Sequence, residues 1–549
     1  MVTSSTKADK TYRPNRSLKN SIKADIIILG CSLPGIVTAH KLKKKFGDTM
    51  DIMVLDLSTT IRQISKGNVA FDAEHVTPDQ NDTEVGNTVI QQNTHLTNFF
   101  LTKYALDFNI PIPTALLGQR MDEPDIKIFQ HLNGLCVDLN SSYHDFEYLN
   151  FLERFELKQY QRLLDDSMHS LFKIDSTPTA SEQKLLLYYD QTSMEKHLSA
   201  ELLFTTSKEI MRTTVRLVCG ASPKHVSVLF FLHQCYRTSS CTNHLDGDNV
   251  RIREKLLGYC RKRLAIKLLQ STEDITLKAK PITEIRTYSN QEVILETMLG
   301  ETNYICNLLA MALSPEQLNE ITVETRLMSE NEVTITERMM KGRIKSFLIQ
   351  YETNIWRKHG YSGDIVSVRG PIIWATERPR LSGTGATEKY ATLMGYLDVK
   401  NLETNYKDGV VEQLVLLFGE EARNPVLYSE KIVNDILVPR LGDYLKLYRM
   451  TRQHSSKYLV WAALDIFADG DVAGAIEAGH RAYLHLISLL RPQSKNFEDV
   501  VLGQWPSTLL EWRLIRTIRT TSLIGAVQYL IYGTAVLYGL HLLRSYFRR

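Results

Sequence analysis

Residues 24–56 open with an unbroken apolar run, Ile26 to Leu29, followed by the turn Gly30–Gly35 and an apolar-periodic stretch from Ile36 to Leu42. The basic run Lys43–Lys45 and Gly47 close that stretch, and a second apolar run, Ile52 to Leu55, ends in Asp56. Uninterrupted runs suit strands buried on both faces, and the 3.6-residue recurrence between them suits a helix. The pattern predicts a strand–helix–strand unit. Residues 57–100 are polar and turn-rich. From about 96 to 235 apolar positions recur at helical spacing, as in "LNFLERFELKQYQRLLDDSMHSLF" and "VSVLFFLHQCY". A helical stretch near 249–270 precedes the alternating "DITLKAKPITEIRTYSNQEVILETML", which predicts a small meander. "YICNLLAMAL", residues 304–313, predicts another buried strand, stopped by Ser314 and Pro315. Residues 343–400 are strand-rich and 401–491 mainly helical.

The two ends differ from this body. Residues 1–23 are polar and basic, which predicts a disordered arm and no secretory signal. "SLIGAVQYLIYGTAVLYGLHLL", residues 522–543, carries no formal charge. At about 1.5 Å per residue it can cross a hydrocarbon core roughly 30 Å thick. Arg513, Arg516 and Arg519 precede it, and Arg544, Arg548 and Arg549 follow it. The expectation is an anchor in the lipid bilayer with the bulk facing the cytosol. A linker, 491–521, joins it to the body, and a basic tail, 544–549, follows.

Composition narrows the chemistry. The 549 residues are 43% hydrophobic and 23% charged, ordinary for a globular protein and enough for two or more domains. A net charge of +3 with no concentrated basic face argues against a nucleic-acid partner. Seven scattered cysteines form no C-x-x-C pair, so neither a zinc site nor a disulfide framework is expected. His225, His233, Cys235, Cys241 and His244 invite a metal reading, but 225 and 233 lie about two helical turns apart and read as packed or solvated side chains; no metal is expected. Asp190, Asp443 and Asp465 are candidate acid–base groups that nothing in the sequence brings together. Lys41 and Lys43–Lys45 read as a solvated helix face, and "RPRLSGTGATEKY", residues 378–390, as a surface loop.

The strand–helix–strand unit has the outline of a dinucleotide cradle. In G-x-G-x-x-G the first glycine permits the turn, the second lets pyrophosphate approach the backbone, and the third lets helix pack on strand. Gly30 and Gly35 supply the first and third, and Ser32 replaces the second. Its side chain stands where phosphate comes closest, though its hydroxyl is able to hydrogen-bond one. Asp56 ends the second strand 21 residues after Gly35, the usual place for an acid that binds a ribose hydroxyl.

Later stretches resemble the flavin-dependent amine oxidases. "VAGAIEAGHRAYLHL", residues 472–486, resembles the closing helix of that family, G-A-x-E-A-G-x-R-A. "FLIQYETNIWRKHGYSG", residues 347–363, is similar to a monoamine oxidase stretch ending in W-R-K-x-x-Y-x-G. "HVSVLFFL" (225–232), "YATLMGYL" (390–397) and the basic, apolar tail fit in place and order. The resemblance spans 24–549. It implies an α/β fold in which a Rossmann-like FAD/NAD(P)-binding domain is assembled from 24–95, 245–312 and 432–490. An α+β substrate domain would come from 96–244 and 313–431, and the transmembrane helix would sit in the mitochondrial outer membrane. Hydrophobicity alone does not separate that membrane from the endoplasmic reticulum. FAD as cofactor and oxidation of an amine to an imine, with oxygen reoxidising the flavin, are implied as well. A small amine or other ligand and a second copy of the chain are candidate partners.

At the positions that carry the family's chemistry this chain departs. Laying Pro425, Val426 and Tyr428 on the family's P-V-x-Y puts its S-G-G-C-Y motif on "PRLGD", residues 439–443. The cysteine that holds FAD covalently becomes Gly442, and the adjoining tyrosine of the aromatic cage becomes Asp443. The second cage tyrosine falls on Asp471, and Trp461 replaces a glycine beside the flavin, where its bulk is expected to enter the flavin site. The lysine near the flavin N5 falls on Ser346, with Lys345 one residue earlier. On a strand a one-residue shift reverses the face. The G-G-R that follows the ribose acid is absent. Two readings follow: a membrane-anchored scaffold in which amine oxidation is lost or strongly altered and FAD is bound weakly and noncovalently, or an active noncovalent FAD oxidase for an unusual amine drawn by the two aspartates.

Overall fold

A computed structural model of the chain describes residues 21–57, 126–171, 180–236, 241, 244–245, 264, 267–268, 270–271, 275–288, 292–297, 302–377, 390–399, 403–432, 437–452, 456–462, 472–491, 493, 531–532, 534–535 and 538. The strand Ser21–Leu29 lies inside an eight-stranded sheet, and Ile26 to Leu29 have no exposed surface because Ile27 and Leu29 enter one core and Ile26 and Ile28 another. It runs parallel to Ile52–Asp56 on one side and to Asn303–Met311 on the other. Thr276–Ala279 extends one edge in parallel. Glu292–Thr297 and Ile282–Tyr288 extend the other as an antiparallel pair, and Thr322–Val323 ends it. Leu459–Trp461 adds in parallel to the far half of Asn303–Met311.

Three expectations need adjustment. The first strand starts at Ser21, and Ser21, Ile22 and Lys23 pair with Asn303, Tyr304 and Ile305, so they belong to the sheet and not to a disordered arm. The segment near 275–297 is not one meander. Pro281 has no N–H to give a ladder, and Thr276–Ala279 instead pairs with Ile52–Asp56 across the sheet. The sheet also takes Thr322–Val323, ten or more residues beyond its expected break at 312.

The helix Leu33–Phe46 crosses the closing helix Val472–Leu490 on one face of this sheet. A Cβ on Gly479 would lie 2.6 Å from the Pro34 carbonyl oxygen and 2.7 Å from Val37 Cβ, so only glycine permits the approach. The Thr38 hydroxyl donates to Pro34 O at 2.8 Å and to Gly479 O at 3.1 Å, fastening the crossing.

A second, seven-stranded sheet has the order Leu427–Ile432, Ile344–Tyr351, Ala391–Asp398, Ile372–Glu377, Tyr361–Ser367, Ile126–Gln130, Cys136–Leu139. One face carries the helices Phe151–Leu171, Ala180–Gln191, Met194–Glu201, Thr205–Cys219 and Val228–Tyr236, whose core includes Ile344, Trp374 and Tyr444. The other packs Phe347, Ile349 and Tyr351 on Val410, Leu414 and Phe418 of the helix Lys407–Phe418. Among the described residues no helix is long and apolar enough to cross a membrane. The expected anchor 522–543 lies outside the described residues, apart from the helical and exposed Ile531, Tyr532, Thr534, Ala535 and Tyr538.

Candidate functional site

The cradle is built at the carboxyl end of the first strand. Gly30 has φ +108°, and a Cβ there would fall 2.4 Å from the Ala312 carbonyl oxygen. A Cβ on Gly35 would meet Ala312 Cβ and Gly30 O, both at 2.7 Å. Both glycines are therefore demanded by the turn pressing on the end of Asn303–Met311, whatever binds there. Ser32 caps Leu33–Phe46 in extended geometry without a side-chain cap bond; its hydroxyl donates instead to Ala312 O at 2.8 Å. The N–H groups of Leu33 and Gly35 have no acceptor within the helix, and the positive helix end favours an anion. Asp56 ends its strand 3% exposed. Burial, helped by the Asp56 charge, pushes the Cys31 thiol up to about 12. Turn, helix end and acid together suit a pyrophosphate and a ribose.

At the other end, two acids meet. Gly442 has φ +84° and its N–H donates to Asp190 O at 2.9 Å. Asp190 Oδ2 accepts the Leu445 N–H at 3.2 Å, at the start of the helix Tyr444–Arg452, while Oδ1 is buried without a hydrogen-bond partner. Asp443, 6% exposed, takes Lys446 Nζ at 3.3 Å and lies 4.0 Å from Arg338 Nη1. Burial, with the Asp443 charge adding, pushes the Asp190 carboxyl up to about 6 against the opposing Leu445 N–H and Lys446. The sequence offered no reason to join these acids; the fold joins Asp190 and Asp443. Asp465 and Asp471 lie outside the described residues.

Trp461 ends the strand Leu459–Trp461. It pairs with Met311, is 4% exposed, and packs with Leu309, Met311, Leu447 and Met450; its indole N–H is buried without an acceptor. Lys345 and Ser346 divide as strand alternation requires. Lys345 reaches Glu430 at 2.6 Å and Thr404 O at 2.8 Å and lies over the Tyr406 ring. Ser346 lies opposite Tyr396 on the other face, toward the core that contains Tyr444. Burial raises the Glu430 carboxyl, but Lys345, the Tyr428 hydroxyl and the Tyr406 N–H outweigh it and hold it below the usual range.

The helical layer holds a further cluster. His233 bonds the Tyr444 hydroxyl, and Cys235 bonds both Cys241 and His244. Among the described residues no three His, Cys, Asp or Glu side chains are arranged to hold a metal. The spacing C-x5-C-x2-H over 235–244 was the available signal for this grouping. His225, read with it, has no part in it.

The overall shape matches solved amine oxidases. A putrescine oxidase solved with putrescine aligns with a TM-score of 0.65 at 14% identity, over 85% of this chain and 100% of that one. Cyclohexylamine oxidase from Brevibacterium oxydans aligns with a TM-score of 0.59 at 17% identity, over 85% and 99%. The sequence of a probable flavin-containing monoamine oxidase A of Dictyostelium discoideum is 23% identical over 253 residues, 44% of this chain and 53% of the relative. The chain has the fold of the flavin amine oxidases and resembles their sequences at low identity over less than half its length. No family model matches it. The matched region spans about half the length of the curated relatives. Relatives described as flavin-containing make FAD the group to test against this site. The cradle of Gly30, Ser32, Gly35 and Asp56 fits the nucleotide half of that group.

Proposed function

We propose that this amine oxidase-like chain keeps a nucleotide cradle but has lost, or strongly altered, amine oxidation, and acts as a binding scaffold. The observation that carries the reading is Trp461. It replaces a glycine that the resemblance puts beside the flavin, and its indole is 4% exposed and packed with Met311, Leu447 and Met450. Asp443 replaces a phenol that would orient the amine between π faces. Gly442 has no sulfur for a thioether, and Lys345 is turned into an ion pair with Glu430. FAD, when bound, is held noncovalently and weakly by its nucleotide half.

The apolar segment 522–543 between arginines supports C-terminal anchoring, in the mitochondrial outer membrane by family likeness, with the bulk in the cytosol. A second reading has one observation in its favour. The paired Asp190 and Asp443 form an acidic spot able to attract an ammonium group, which suits an active noncovalent oxidase for a cationic amine. A peroxide-coupled assay on the full-length protein, with added FAD and a panel of mono- and diamines, separates the two. Rates at the no-enzyme background agree with the scaffold. Amine-dependent peroxide that disappears in Asp443→Asn establishes the oxidase.

A further inference from the structure

The helical layer contains chemistry that neither the cradle nor the acid pair uses. Cys235, at the end of the helix Val228–Tyr236, and Cys241 are both without exposed surface, and their thiols are hydrogen-bonded to each other. His244 bonds Cys235 from the same side. Asp165, on Phe151–Leu171, accepts the Cys241 backbone N–H at 2.6 Å and so fixes where the second thiol sits. A small polar cavity with room for a water-sized molecule abuts Cys241 and His244 and is lined also by His144, Gln161 and Thr214.

We propose that Cys235 and Cys241 are a redox-active dithiol, a modification site at which hydrogen peroxide closes an intramolecular disulfide. The two sulfurs are unlike. Burial pushes the Cys235 thiol up, but the hydrogen bond from Cys241 and the charge and bond of His244 outweigh it and bring it down to about 6. Cys241, buried and beside that thiolate, is pushed far up. One sulfur is the nucleophile and the other keeps its proton, the division of labour that an attacking and a resolving cysteine need. By contrast Cys31 and Cys306 are raised by burial, with a nearby carboxylate adding in each case, and stay inert thiols.

The step balances. His244 takes the Cys235 proton. The thiolate then attacks one peroxide oxygen, an S–O bond forms, the O–O bond breaks, and the departing hydroxide collects the proton from His244 as water. Cys241 sulfur next attacks Cys235 sulfur. The S–S bond forms, the S–O bond breaks, and the second hydroxide leaves with the Cys241 proton. Two thiols lose two electrons, and one hydrogen peroxide becomes two waters.

The sequence makes the product easy to detect, because trypsin cuts at Arg237 between the two cysteines. The full-length protein is treated with stoichiometric hydrogen peroxide, denatured, alkylated and digested without reductant. The expected result is a cross-linked peptide pair joining Cys235 to Cys241, lighter by two hydrogens. Cys241→Ser should instead stop at a sulfenic acid on Cys235 that a cyclic dione traps. His244→Gln should slow cross-linking about tenfold. If Cys235 and Cys241 both remain alkylatable while exposed Cys136 oxidises, or if Cys235 pairs with a different cysteine, the proposal is overturned. The wild-type digest alone decides this, so a variant that fails to fold does not rescue it.

Discussion

The two halves of the candidate site have fared differently. At the nucleotide half, Gly30 and Gly35 are held in place by Ala312, which leaves no room for any side chain. Their retention is a packing requirement of the sheet as much as a binding one. Where the proposal puts the ring half, Trp461 packs into an apolar core and the acids Asp190 and Asp443 lie together. Gly30 and Gly35 are demanded by the fold whether or not a ligand binds. Recognising a cradle glycine is therefore weaker evidence for a bound cofactor than its motif suggests.

The contrast is open to attack on both sides. The largest effect belongs to Trp461→Ala, which should cost about 3–5 kcal/mol because it removes a buried indole and leaves a cavity. Urea unfolding measures it, and a cost below about 1 kcal/mol would mean that the indole faces open space. Next is Lys345→Met. It strands Glu430 without its cation and should cost about 3 kcal/mol, the penalty of breaking a buried pair. If Lys345 served a flavin instead, stability would barely change.

Asp190→Asn has a pH signature. The folded carboxyl titrates at about 6 and an unfolded one near ~3.9, so proton uptake favours the folded wild type. That contribution is complete below the unfolded value and is lost as pH rises through about 6. The variant has no such loss, so its stability relative to wild type should rise by about 2–3 kcal/mol between pH 4 and pH 7. A pH-independent difference would mean that burial does not raise the Asp190 carboxyl. The smallest effect is expected for Ser32→Gly. It removes the bond to Ala312 O, costing about 1 kcal/mol, while opening the turn and tightening adenine-nucleotide binding by calorimetry. Unchanged affinity would mean the cradle no longer meets a phosphate.

The strand–helix–strand unit was legible because its signals are local: apolar runs, Pro34 beside a capping Ser32, and Gly47 closing the helix. Even there the strand's first three residues were missed, since Ser21–Lys23 acquire partners only from Asn303–Ile305. The acid pair was not legible. Asp190 and Leu445 are 255 positions apart, and only the docking of two helices brings them together. Lys345 and Ser346 differ by one step of strand register, which the sequence leaves open and the pairing with Leu397 and Tyr396 resolves. Trp461 reads in the sequence as bulk beside a flavin; the fold makes it a member of an apolar core, paired with Met311 and packed with Leu447.

The most direct measurement is the flavin content of the full-length protein, purified in detergent and read by visible absorbance before and after anaerobic addition of an amine. The account predicts a colourless protein with far less than one flavin per chain and no bleaching. A yellow protein with one flavin per chain that an amine reduces, and that releases hydrogen peroxide when air is readmitted, would contradict it.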